Sequence, residues 1–125
     1  MLVHGLAFAP DSAMDSKRAR ELALALPGAT EEPHFEAASF RVRGKIFATL
    51  PPGGQVLHVF VSEEVREREL KINSAFLEKL LWGQKVRGLR VLLGEAEPLV
   101  VDRLLREAWS DRAPESRSRG GAAAR

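Results

Sequence analysis

Two acid-free stretches carry the side chains best suited to chemistry with a partner. Between Ala37 and Ser62 the only charged side chains are Arg41, Arg43 and Lys45; Lys79 to Gly94 carries Lys79, Lys85, Arg87 and Arg90 with no acid. Guanidinium forks and ammonium point charges suit phosphate oxygens. If both stretches lie in one sheet, they form one positive surface for DNA or another polyanion. By alternation Arg41 and Arg43 share a strand face with Ser39, opposite Phe40 and Val42, and Lys45 stands at the adjacent turn. An ordinary solvated sheet face, guarded by Lys and Arg against edge pairing, accounts for the same residues. His58 and Phe60 belong to that outer face too, since Leu57, Val59 and Val61 alternate with them. An exposed Phe beside Arg can stack on an unpaired base, pack in a homodimer interface, or lie under a neighbouring helix.

Other chemistries find less support. The loop Glu31-Glu-Pro-His-Phe-Glu36 gathers a His and three carboxylates, but its spacing matches no ligand motif. It reads as a solvated acidic loop anchored by Phe35 in the core. No cysteine is present, which removes disulfides, thiolate metal sites and cysteine nucleophiles. There is no Gly-x-Ser-x-Gly elbow, Walker loop or dinucleotide fingerprint, and no His–carboxylate spacing that demands acid–base work. The expectation is a non-enzymatic protein with no cofactor and no metal. Trp82 and Trp109 read as core or helix-end anchors.

The elements that must position the cations follow from periodicity. Ala19, Leu22, Ala23 and Leu26 form one helical stripe, capped by Asp15 or Ser16, with Ser12 more distant, and stopped by Pro27-Gly28. Residues 29–36 read as loop. Phe40 and Val42 alternate with polar neighbours, Gly44-Lys45 turns, Ile46–Leu50 returns, and Pro51-Pro-Gly-Gly54 leads into Gln55–Val61. These are three strands of a meander. Ser62 caps a short charged helix to Leu70; Phe76, Leu77, Leu80 and Leu81 suggest a further helical turn or two ended by Trp82-Gly83; Leu89–Leu93 is a fourth strand; a last helix starts near Pro98. The fold class is α+β, an antiparallel sheet with helices packed on one face.

The chain of 125 residues suits one domain, expected over 15–114, after a leader of uncertain order (1–14) and before a disordered Arg-bearing tail (115–125). Its net charge of +2 belongs to residues 111–125, since residues 1–110 hold 15 basic and 15 acidic side chains. The apolar run Leu2–Phe8 is too short to span a membrane and lacks the positive start of a secretory signal. A cytoplasmic location is expected.

Pro27-Gly28, Glu32-Pro-His-Phe35, the segment Phe40-Arg-Val-Arg-Gly-Lys-Ile-Phe-Ala48, Trp82-Gly83, and Leu104-Leu-Arg-Glu-Ala-Trp109 followed by Ala113-Pro114 together resemble the YjbR/MmcQ family over roughly residues 15–114. The resemblance implies a CyaY-like α+β fold, similar to a double-wing transcription-factor domain, and a DNA-binding role. The sequence departs from the family pattern in three places: Glu36 stands where glycine is usual, Ala37-Ala38 replaces a more polar or proline-containing approach, and Phe60 stands where lysine is frequent. Each weakens a simple polyanion reading. The cationic first helix, with Lys17, Arg18 and Arg20, disfavours the iron binding that CyaY-like folds suggest. The leading expectation is therefore weak, sequence-tolerant contact with DNA through Arg41, Arg43, Lys45, Lys85, Arg87 and Arg90. The rival is a protein-interaction or homodimer surface around His58 and Phe60. Small-ligand binding between sheet and loops is a third reading.

Overall fold

The computed structural model describes residues 14–113; most of the expected leader and the whole expected tail lie outside the described residues. Helix α1 (Ser16–Leu24) is capped by Asp15, whose carboxylate accepts from the Arg18 amide at 2.8 Å. The predicted stripe is the buried one: Ala19, Ala23 and Leu26 join the core, with Leu22 packed at its margin. Met14, assigned to the leader by the sequence, is also buried. Gly28 then takes a left-handed φ of 73°, which any other residue would adopt only with strain.

Six strands follow, all antiparallel: β1 (Thr30–His34), β2 (Ala37–Val42), β3 (Lys45–Leu50), β4 (Val56–Val59), β5 (Leu77–Trp82) and β6 (Lys85–Leu92). Their spatial order is β1-β2-β3-β4-β6-β5. Helix α2 (Glu63–Ile72) joins β4 to β5, and α3 (Pro98–Arg112) is the last element among the described residues, after one 3-10 turn, Leu93–Glu95. Helix α3 lies mainly over β3 and against α1, while α2 packs on β5 and β6. One face of the sheet thus carries helices and the other does not, the α+β arrangement that the patterning predicts. Phe40, Phe47, Leu57, Val59, Leu89 and Val91 fill the inner face against Val101, Leu104 and Leu105. Burying a side chain the size of Phe40 contributes about 3 kcal/mol.

Two elements correct the sequence reading. Residues 30–34 form an edge strand rather than a loop, and Phe35 is 93% exposed instead of anchoring the core. Strand β1 has no buried apolar row to reveal it. It is held by the ladder to β2, by Ser39 Oγ donating to the Glu32 carbonyl at 2.7 Å, and by an Arg20–Glu31 ion pair at 2.9 Å. Pro33 is tolerated there because an edge strand leaves one row of amides unused.

The second correction concerns residues 77–82, which form strand β5 rather than helix. Leu77, Leu80 and Leu81 do fall at helical spacing, and the burial of Leu77 and Leu80 with Lys79 exposed departs from strand alternation, yet the segment pairs along β6, where Arg87 is the extra residue of a register shift. Trp82-Gly83 is then no helix stop. Gly83, with φ 61°, turns the chain into β6, which begins at Lys85 instead of Leu89.

A second irregularity shapes the outer face. Phe40 pairs with Ala48 and Arg41 with Ile46, so Phe47 is an extra residue in β3. The bulge lets both Phe47 and Ala48 enter the core and puts Ile46 on the outer face beside Thr49 and His58.

Candidate functional site

Antiparallel pairing fixes which loops share an end of the sheet. The β2–β3 turn at Arg43-Gly44 and the β5–β6 turn at Gly83-Gln84 lie at the same end, and β4 also finishes there. Arg43 and Lys45 come from one hairpin, Lys85 and Arg87 from the other. They therefore flank a notch in which Phe60 follows the last residue of β4. Beyond Val59 the ladder to β3 is continued by the Phe60 amide donating to the Phe47 carbonyl at 3.1 Å. Gly88 holds the other side: a side chain there would collide with the Val59 carbonyl and stand 3.1 Å from the Phe60 Cα.

The two cationic stretches thus occupy one sheet, but their members differ in availability. Arg90 donates to Glu78 at 2.7 Å across the β5–β6 ladder. Arg41 donates to Ser39 Oγ at 3.0 Å, with Glu32 at 3.9 Å. Arg43, Lys45, Lys85 and Arg87 are exposed, and none takes part in an ion pair among the described residues. Arg43 does not continue the face of Arg41 as alternation suggests, because it sits at the turn with φ 55°. Lys79 pairs with Leu89, a core residue, and so belongs to the helix-bearing side of the sheet rather than to the face of the other cations.

His58 and Phe60 do lie on the outer face. The second short helix expected over Phe60 is strand β5, and the Phe60 ring meets Trp82 of that strand edge-on, with centroids 6.2 Å apart. Trp82, expected as an anchor of the core, is 55% exposed, and the Arg87 guanidinium lies 4.9 Å from its ring centroid. Trp109 does anchor a helix end, donating its indole N–H to the Pro27 carbonyl at 2.8 Å.

Arg112 is the residue that sequence reasoning missed. Its place in the sequence groups it with the charges of the C-terminal segment, yet it ends α3 and reaches the notch from the helix layer. Its guanidinium donates to the Phe60 carbonyl at 2.8 Å and lies 5.9 Å from the Phe60 ring centroid. Burial lowers its pKa; the neighbouring Asp111 carboxylate opposes that and outweighs the smaller downward push of Arg87. A guanidinium stays protonated regardless, so the shift means that its charge is held at a cost. His58 is also displaced downward, by burial and then by Arg90, leaving a neutral imidazole.

These side chains line an outer groove of about 440 Å³ that runs from the β1–β2 turn to the notch. Among the described residues no cluster of three metal-ligating side chains occurs, and no helix is long and apolar enough to cross a membrane.

Comparison with protein families gives a match to the model described as YjbR over residues 24–111. No curated protein matches the chain.

Proposed function

On the premise that the chain belongs to the YjbR family, we propose that it binds nucleic acid weakly and with little sequence preference, through the end of the sheet that bears the two hairpins. One observation carries this reading: Arg43, Lys45, Lys85 and Arg87 project from two turns at the same end, and no carboxylate among the described residues pairs with them. Arg41 and Arg90, already engaged by Ser39 with Glu32 and by Glu78, are secondary contacts. Helices lie on the opposite face of the sheet, so phosphate contact rather than helical base readout is the mode. The role is one of binding without a catalytic step. A cytoplasmic location, compatible with a cysteine-free chain, belongs to the same reading.

Titration of labelled duplex and single-stranded DNA at several salt concentrations tests it. Four neutralised phosphates give log K against log salt a slope of about −3.6 on duplex. Replacing Arg43, Lys45, Lys85 and Arg87 together by Gln abolishes binding, whereas truncation after Pro114 leaves it. Binding that survives the fourfold variant and disappears with the truncation would overturn the proposal. A second reading, self-association through the same face around His58 and Phe60, draws on the exposure of Leu81 and Trp82, 55% each. Light scattering that shows a dimer, split by Trp82→Ala and Phe60→Ala, would favour it over DNA contact.

A further inference from the structure

The hairpin tips explain the exposed cations but not the groove between them. Its floor is mostly apolar and aromatic, with Ile46, Phe60 and Trp82 exposed to it. Three polar groups face the same space without a mutual network. Thr49 is only 7% exposed, lines the groove, and its hydroxyl makes no hydrogen bond among the described residues. A buried hydroxyl without a partner costs roughly 1–3 kcal/mol. His58, on the partner strand opposite Thr49, is half-buried and also makes no side-chain hydrogen bond. Arg112 uses one N–H on the Phe60 carbonyl and forms no ion pair.

Charge along the groove is polarised. Arg87 and Arg112 stand at the notch, while Glu36 lies at the far end, on the turn between β1 and β2. A guanidinium partly withdrawn from water beside a second one is stabilised by an incoming anion. A flat ring is what Phe60 and Trp82, set edge-on to each other, can hold. Space of about 440 Å³ falls within the roughly 300–1,000 Å³ of small-molecule sites.

We propose that this groove binds a small molecule carrying one flat ring and one anionic group, the ring against Phe60 and Trp82 and the anion on Arg112 and Arg87. Thr49 and His58 supply hydrogen bonds to the ring's polar edge. Glu36 repels the anion from the far end, so the ligand has one orientation. A nucleoside monophosphate and an aromatic carboxylate share this chemistry. The site goes beyond polyanion contact, because it needs Arg112 and the aromatic pair and makes no use of Arg43 or Lys45.

Titration of the full chain with adenosine monophosphate, naphthoate, adenosine and inorganic phosphate, followed by calorimetry and by the Trp82 indole N–H signal in heteronuclear NMR, tests the proposal. At least one ringed anion binds and moves the Trp82 signal, and the tighter of the two identifies the source. Adenosine and phosphate, each carrying half of the chemistry, bind at least about ten-fold more weakly, the loss expected for one charge-assisted hydrogen bond. Arg112→Gln and Trp82→Ala each lower affinity about ten-fold or more, whereas Arg43→Gln with Lys45→Gln leaves it unchanged. Thr49→Val, a near-isosteric change, lowers it several-fold without disturbing the fold.

Three results would each overturn the site: no ringed anion binding at millimolar concentration, equal binding of adenosine and its monophosphate, or equal loss from the Arg43/Lys45 variant and from Arg112→Gln. A dimer by sedimentation that blocks ringed anions, and that Trp82→Ala splits, would overturn it as well.

Discussion

Glu69 on α2 and Arg112 at the end of α3 are both charged groups drawn out of water, but their surroundings differ. Glu69 is 1% exposed and fully enclosed by donors: Arg103 at 2.8 Å, Asn73 at 2.9 Å and Arg68 at 3.3 Å. Burial alone would raise its pKa; Arg103 above all, with Asn73 and Arg68, holds it below the ordinary value. Arg112 donates to a single carbonyl and forms no ion pair among the described residues. Asp111 attracts it without direct contact, Arg87 repels it more weakly, and an open groove lies in front of it. The first arrangement is closed and ties α2 to α3. The second leaves guanidinium donors unused where a ligand can reach them. A buried charge with its partners complete is a structural device; one lacking them marks a place for binding.

The largest effect expected on this contrast comes from Gly88→Ala. A Cβ at 88 meets backbone rather than a flexible side chain, at the Val59 carbonyl and the Phe60 Cα. Strand β6 must move from the exit of β4, at a cost of about 3 kcal/mol or more in urea unfolding. The notch that displays Arg112 is lost with it, while the Glu69 cluster on the helix layer remains in any folded fraction. An unchanged midpoint would show that the close approach is not needed.

Glu69→Gln comes next, with an expected loss of about 2 kcal/mol. That lies below the roughly 3–5 kcal/mol for breaking a fully buried pair, because the Arg68 and Arg103 side chains keep 45% and 46% exposure and can hydrate. The same residue sets an acid response. Its folded pKa is depressed, so its stabilisation is complete above the unfolded carboxylate value and is lost as pH falls through the folded one. The stability gap between the parent and Glu69→Gln therefore narrows in acid, as read from denaturant midpoints at stepped pH. A gap that stays constant or widens would mean that the cluster does not favour the ionised form.

Much of this architecture is legible in residue order, and the gaps have physical causes. The Ala19–Leu26 stripe, the Phe40/Val42 and Leu57/Val59/Val61 alternations, and Pro98 at the start of α3 each follow from local periodicity and match the structure. Strand β1 escapes notice because Thr30-Glu-Glu-Pro-His34 buries nothing and is made by its neighbour's ladder. Strand β5 escapes because its buried residues, Leu77 and Leu80, are three apart, a helical rather than a strand spacing. Arg43, Lys45, Lys85 and Arg87 are visible as charge runs, but their convergence on one end depends on the order β4-β6-β5, which no local pattern encodes. Arg112 was hidden for a related reason: only the tertiary crossing of α3 over β3 brings it to Phe60, 52 residues away in sequence.

The smallest effect, and the most discriminating, is expected from Arg112→Gln. Removing a guanidinium whose charge is held at a cost relieves its desolvation, the largest influence on it, while the lost Asp111 attraction and the smaller relieved Arg87 repulsion partly offset each other. Against that stands the lost hydrogen bond to the Phe60 carbonyl, worth about 1 kcal/mol, part of which the Gln amide can restore. The two contributions nearly cancel, so stability changes by less than about 1 kcal/mol in either direction. Because a guanidinium does not titrate in the accessible range, that small difference stays flat with pH, unlike the Glu69 gap. If Arg112→Gln instead destabilises the fold as much as Glu69→Gln, then Arg112 is a structural clasp like its counterpart. The contrast between a closed and an open charge would fall.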